Sequence, residues 1–207
     1  MARRFGWSVM FLLTLVVASY ALTSALVPGA RDGFVADLFA DKALRAFGHL
    51  AAGGVVIVAG ALQFSTRIRW RWPSVHRGLG FAYLVGVLVS GISAVAMAPT
   101  SNGGITGHLG FGILGVLWIV STSVAFLKIR TRDYEGHRAW MIRSYALCLA
   151  AVTLRIYLPF SIAAGIPFED AYPAIAWLCW VPNLVFAEWL VIGSSVAPLE
   201  PPSNVAD

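Results

Sequence analysis

Charge is scarce in this chain. Only 12% of its 207 residues are Asp, Glu, Lys or Arg, about half the share found in a soluble domain. That excludes a water-solvated globule of this length and points to an integral membrane protein. Cysteine is scarcer still. Cys148 and Cys179 stand in apolar stretches, too few for a disulfide framework and without metal-motif spacing, so they read as small packing residues. No nucleophile and base form a recognisable motif, no carboxylates are paired, and no Cys/His set has zinc spacing. The turn containing Gly103 and Gly104 follows no strand, which argues against a phosphate loop. The net charge of +5 and pI of about 9.6 do not signal nucleic acid, because the basic residues fall in short loops between apolar runs.

What is present is sequence suited to hydrocarbon. Hydrophobic residues make up 58% and mean hydropathy is +0.76. Apolar runs long enough to span a bilayer occur at about 6–28, 44–65, 76–98, 106–128, 137–159 and 173–195. The expected fold is all-α, a polytopic membrane protein of six transmembrane helices with spans two to five as a four-helix core. One domain is expected over residues 1–196, with a disordered cytoplasmic tail at 197–207. The first run follows Met-Ala-Arg-Arg, but it is too long for a cleaved signal peptide and lacks a clear small-x-small site, so it is read as span one. A short interfacial helix is expected at 34–39. Arg3 and Arg4, then Arg67, Arg69, Arg71 and Arg77, then Lys128, Arg130, Arg132 and Arg138 fall on one side of a six-span topology. The positive-inside rule makes that side cytoplasmic, with both termini, in the cytoplasmic (inner) membrane. Trp70, Trp72, Tyr134 and Trp140 beside these arginines read as an interfacial aromatic belt.

The four histidines fall near the starts of four successive spans: His49, His76, His108 and His137. Alternating span direction places His49 and His108 near the outer face, and His76 and His137 near the cytoplasmic face. Helical spacing puts Gly53, Gly60 and Gln63 on the His49 face and Gly80, Tyr83 and Ser90 on the His76 face. Gly112, Gly115 and Thr122 share the His108 face; Ser144, Cys148 and Arg155 share the His137 face. Two readings compete. A flat macrocycle needs room between helices, glycine supplies it, and a neutral imidazole suits haem iron. The four histidines are then iron ligands for one or two b-type haems, in a protein that transfers electrons across the membrane from a quinol or small reductant. Alternatively, small residues simply pack membrane helices and the histidines are interhelix glue, in a cofactor-free small transporter or assembly partner. The ligand pairs lie far apart: from His49 to the cytoplasmic end of span two is about 16 residues, or roughly 24 Å. His76 and His137 each precede an arginine at a wet interface, which makes His49 with His108 the stronger expectation.

Further polar groups lie inside the spans, where they are costly unless partnered. Arg143 and Glu188 lie at similar depths from the cytoplasmic end of spans five and six and are expected to pair. Arg155, near the outer end of span five, is expected close to His49 and His108. There it anchors a haem propionate or an anionic substrate group, or snorkels to the interface. Gln63 is placed at the level of His76 and His137, to donate to a ligand or to cap packing.

The run His76-Arg-Gly-Leu-Gly-Phe-Ala-Tyr83, the loop at 97–104, and the stretch His137-Arg-Ala-Trp-Met-Ile-Arg-Ser-Tyr145 through Leu154-Arg-Ile-Tyr-Leu-Pro159 resemble a bacterial membrane-protein family known as domain of unknown function 2306. The resemblance covers about residues 45–160 and implies a topology rather than an activity. A weaker, purely architectural similarity is to the two-haem, ascorbate-dependent transmembrane cytochromes b. It implies ligands paired between spans two and four and between spans three and five, here His49 with His108 and His76 with His137. This chain departs from that family in placing its histidines nearer the helix ends and in sharing no local motif with it.

Overall fold

Nine α-helices and no strand form the regular structure among the described residues, 2–196 of a computed structural model. The tail expected at 197–207 lies outside them. The helices are α1 (Ala2–Leu26), α2 (Gly33–Gln63), α3 (Thr66–Arg71), α4 (Pro73–Met97), α5 (Gly104–Arg130), α6 (Tyr134–Cys148), α7 (Ala150–Ala163), α8 (Phe168–Leu178) and α9 (Val181–Val196). Six stretches are long and apolar enough to cross a membrane: Gly6–Leu26, Gly33–Gln63, Pro73–Thr100, Gly104–Arg130, Tyr134–Ala163 and Phe168–Gly193. The all-α, six-span expectation therefore holds. The fifth span is α6 and α7 in series, and the sixth is α8 and α9.

Local chemistry sets the helix starts. Asp32 accepts from the Val35 amide at 2.9 Å and opens α2. Pro73 opens α4, where its missing N–H is no loss. Gly103, at φ +90°, turns the chain into α5. Asp133 accepts from the Gly136 amide at 2.8 Å to cap α6. Lys128, 2.9 Å away, donates to the Asp133 carboxylate and, with the Gly136 amide, holds its pKa below the usual range. The ionised cap is therefore formed at neutral pH and weakens only as pH falls through that lowered value. The segment expected as a short helix at 34–39 is helical and runs on into span two, with an interruption at Lys42 (φ −142°, ψ 44°).

The bundle closes on itself. α2 packs on α1 and α4, α4 on α5, α5 on α6 and α8, α6 on α9, and α7 on α8 and α1. Its outward surface is apolar, with Val16, Phe81 and Phe160 well exposed, as a lipid-facing shell requires. Inside, a hydroxyl knot joins spans three, four and five. Tyr83 Oη and Ser144 Oγ share a bond of 2.8 Å, Ser144 and Thr122 Oγ1 share one of 2.6 Å, and Trp118 Nε1 donates to Tyr83 at 3.5 Å. All four side chains are buried. Tyr145 donates to the Ile57 carbonyl of α2 at 2.9 Å. Gly60 makes that approach possible, because a Cβ there would drive into the Tyr145 and Tyr83 rings.

Span five is interrupted at Leu149 although no proline or glycine is near. Asn183 of α9 supplies the cause. Its Nδ2 reaches the Ala146 carbonyl at 3.3 Å, and also Thr153 Oγ1 and the Cys179 carbonyl at 2.9 Å each. An amide inserted into the helical ladder bends the helix. Span six breaks just before Pro182, which cannot donate to the ladder. Below these breaks Arg143 and Glu188 meet as the sequence implied, Nε to Oε1 at 2.5 Å and Nη2 to Oε2 at 2.8 Å, tying α6 to α9.

Two outcomes test this packing. Glu188→Gln keeps the shape and removes the charge; with both partners partly exposed, it should cost about 1–2 kcal/mol. An unchanged melting curve in detergent would remove this pair from the account. Gly60→Ala should cost about 1–3 kcal/mol, whereas Gly78→Ala, which meets open space, should not destabilise; equal stability of the two variants would contradict the contact.

Candidate functional site

The face that carries α3 and the α5–α6 turn is strongly basic, with Arg67, Arg69, Arg71, Arg77, Lys128, Arg130 and Arg132. At this basic face His137 follows the Asp133 cap by one turn, its amide bonded to the Asp133 carbonyl at 2.9 Å. Its Nδ1 lies 2.8 Å from the Ala125 carbonyl. A carbonyl only accepts, so Nδ1 carries the proton and Nε2 keeps its lone pair. The His76 ring, in the first turns of α4, interacts electrostatically with that of His137. His76 Nδ1 is buried and has no hydrogen-bond partner; it is the one such side-chain nitrogen or oxygen among the described residues. Gln63 reaches this level as expected, but through the backbone: its Nε2 donates to the His76 carbonyl at 3.0 Å.

The other two histidines share no partner. His49 Nδ1 donates to the Ser90 carbonyl at 3.1 Å, while Ser90 Oγ donates to the His49 carbonyl at 3.0 Å. His108 Nε2 donates to the Ser101 carbonyl at 2.9 Å, which leaves only Nδ1 with a lone pair. His49 thus bonds to Ser90, inside α4, whereas His108 bonds to Ser101, beyond the end of α4. Arg155 lies within electrostatic reach of His49, Tyr20, Asp32 and Tyr172, and its guanidinium lies 4.8 Å from the Tyr20 ring centroid.

Room for a macrocycle is uneven. On the His49 face, a Cβ on Gly60 would strike two tyrosine rings and one on Gly53 would meet Ser90 Oγ at 3.2 Å; on the His108 face, Gly115 lies against Val95. These glycines serve close helix packing. Beside His76, a Cβ on Gly80 would meet only the Gln63 amide, at 3.9 Å. Among the described residues no group of three or more His, Cys, Asp or Glu could hold a bare metal ion. A haem brings its own equatorial nitrogens and asks the protein for axial ligands alone, so the lack of such a group does not bear on two histidines acting as an axial pair.

A family model described as "Predicted membrane protein (DUF2306)" matches residues 46–191. The chain belongs to that family. The match runs beyond the expected 45–160 and takes in most of span six. No curated protein and no solved structure matches the chain, so the likeness to transmembrane cytochromes b gains no support from relatives.

In this DUF2306 protein the polar groups that sequence reading passed over are Tyr20, Asp32 and Tyr172 beside Arg155, and Asn183 in the span breaks. A signal existed for each, as a polar or hydroxylated residue in or flanking an apolar run. The carbonyl acceptors make a direct prediction. Nitrogen-15 NMR of labelled imidazoles should report the Nδ1–H tautomer for His49 and His137 and the Nε2–H tautomer for His108. An Nδ1–H signal at His108 would overturn that assignment.

Proposed function

We propose that this protein is a membrane electron-transfer protein of the haem b type, with one centre at the basic face held by His76 and His137. The observation that carries the reading is the buried Nδ1 of His76, without a hydrogen-bond partner among the described residues, within electrostatic reach of a second imidazole that is oriented by a backbone carbonyl. A carbonyl-anchored imidazole is the usual second-shell arrangement of a metal-binding histidine. When bound, haem iron supplies one-electron chemistry. Gln63 steadies the first turns of α4, and Arg69 and Arg77, within electrostatic reach of His76, are the cations available to propionates. Arg155 lies with His49, which argues against a propionate role for it at this centre. By the positive-inside rule the basic face and both termini are cytoplasmic, in the inner membrane. The electron donor is then a quinol or a small reductant, exchanged at that face rather than passed through a second haem.

A second reading has its own support. The Tyr83–Ser144–Thr122 knot fills the space between spans three, four and five, as a cofactor-free transporter or assembly partner would pack it. One experiment separates the two. The protein purified in detergent from haem-replete cells should show a b-type band in a reduced-minus-oxidised spectrum. His76→Ala and His137→Ala should each abolish the band, and His108→Ala should keep it. A colourless preparation would sink the haem reading and leave the packing one.

A further inference from the structure

We propose that the end of the bundle opposite the basic face binds a small carboxylate anion, with Arg155 as its anchor. This does not depend on the haem reading. Arg155 is half-buried, about eight residues from the end of α7, or roughly 12 Å below it. A guanidinium carries five N–H donors; here Nη1 bonds to the Ala151 carbonyl at 2.9 Å, and no carboxylate forms an ion pair with it among the described residues. Asp32 is the acid within its electrostatic reach, but both Asp32 oxygens are engaged. Oδ2 accepts from Tyr20 at 2.5 Å and Oδ1 from the Val35 amide at 2.9 Å. A charge at this depth without a direct partner is costly and marks a site by default.

Other unspent groups converge on the same guanidinium. The Tyr172 hydroxyl, within its electrostatic reach, has no hydrogen-bond partner among the described residues, and the side chain is buried. The ring of Tyr172 is fixed by Phe111 and Phe168, with centroids 5.4 and 4.7 Å away. The Tyr20 ring, held through its hydroxyl by Asp32, packs against the guanidinium. The Arg155 guanidinium, the Tyr20 ring 4.8 Å from it and the Tyr172 hydroxyl within its electrostatic reach thus supply a cationic fork, an aromatic wall and a hydroxyl donor. A carboxylate matches the fork with two parallel bonds, and the Tyr172 hydroxyl donates to one of its oxygens. The nearby Asp32 charge disfavours a dianion, so a monocarboxylate is selected over phosphate. The acid arrives either from water or as a fatty acid from the lipid.

The test is thermal unfolding of the full chain in detergent with benzoate, laurate, inorganic phosphate and neutral benzamide as probes. A saturable rise in melting temperature with benzoate or laurate, and none with benzamide or phosphate, is expected. Response to both acids, or to benzoate alone, marks a water-borne ligand; response to laurate alone marks a lipid-borne one. Arg155→Lys keeps the charge but loses the fork and should weaken the apparent affinity about tenfold or more. Tyr172→Phe should weaken it less, and His108→Ala should leave it unchanged. Should Arg155→Lys fail to fold, Tyr172→Phe still reads the site. An equal response to benzamide, full-strength acid binding in every folded Arg155 and Tyr172 variant, or no response to either acid would each overturn the proposal.

Discussion

A bilayer interior has no water to offer a backbone carbonyl or a polar side chain, so each must be satisfied by protein. That demand organises the molecule. The three histidines with partners all bond to carbonyls: His49 to Ser90, His108 to Ser101 and His137 to Ala125. Gln63, Asn183, Tyr145 and Arg45 likewise end on carbonyls of neighbouring helices. Such bonds fix ring tautomers and helix registers together. Against that background the Nδ1 of His76 stands out as buried and without a hydrogen-bond partner among the described residues.

One face of α4 links the two polar levels. His76, Tyr83 and Ser90 are seven residues apart in succession, close to two turns each. His76 looks to the His137 level, Tyr83 anchors the hydroxyl knot, and Ser90 grips His49. The knot therefore sits between the histidine pair at the basic face and the Arg155 cluster. Packed aromatic rings and satisfied hydroxyls part the two ends.

The spans, their order and the Arg143–Glu188 pair were legible because they depend on local hydropathy and on depth. Two opposite charges at matching depth in apolar surroundings have little choice but each other. The surroundings of the histidines were less legible. The helical-wheel step from His137 to Arg155 assumes one continuous helix, and span five is interrupted at Leu149 by an amide from another span. Glycine on a histidine face looks alike whether a cofactor or a tyrosine ring fills the space, and at Gly60 it is the ring. Tautomers, likewise, hang on which carbonyl a neighbouring helix presents.

The Arg143–Glu188 bridge also bears on the order of assembly. Its two partners are 45 residues apart, so during synthesis span five emerges well before Glu188 exists. An arginine inside a span costs about 2.5–3.5 kcal/mol on insertion scales when it lies near the middle, and the carboxylate that pairs with this one arrives only with the last span. Entry of span six thus acts as a latch: it cancels the burden that span five carried alone. A chain truncated before span six would leave a cation stranded in the bilayer, a marker of incompleteness built into the half-made protein.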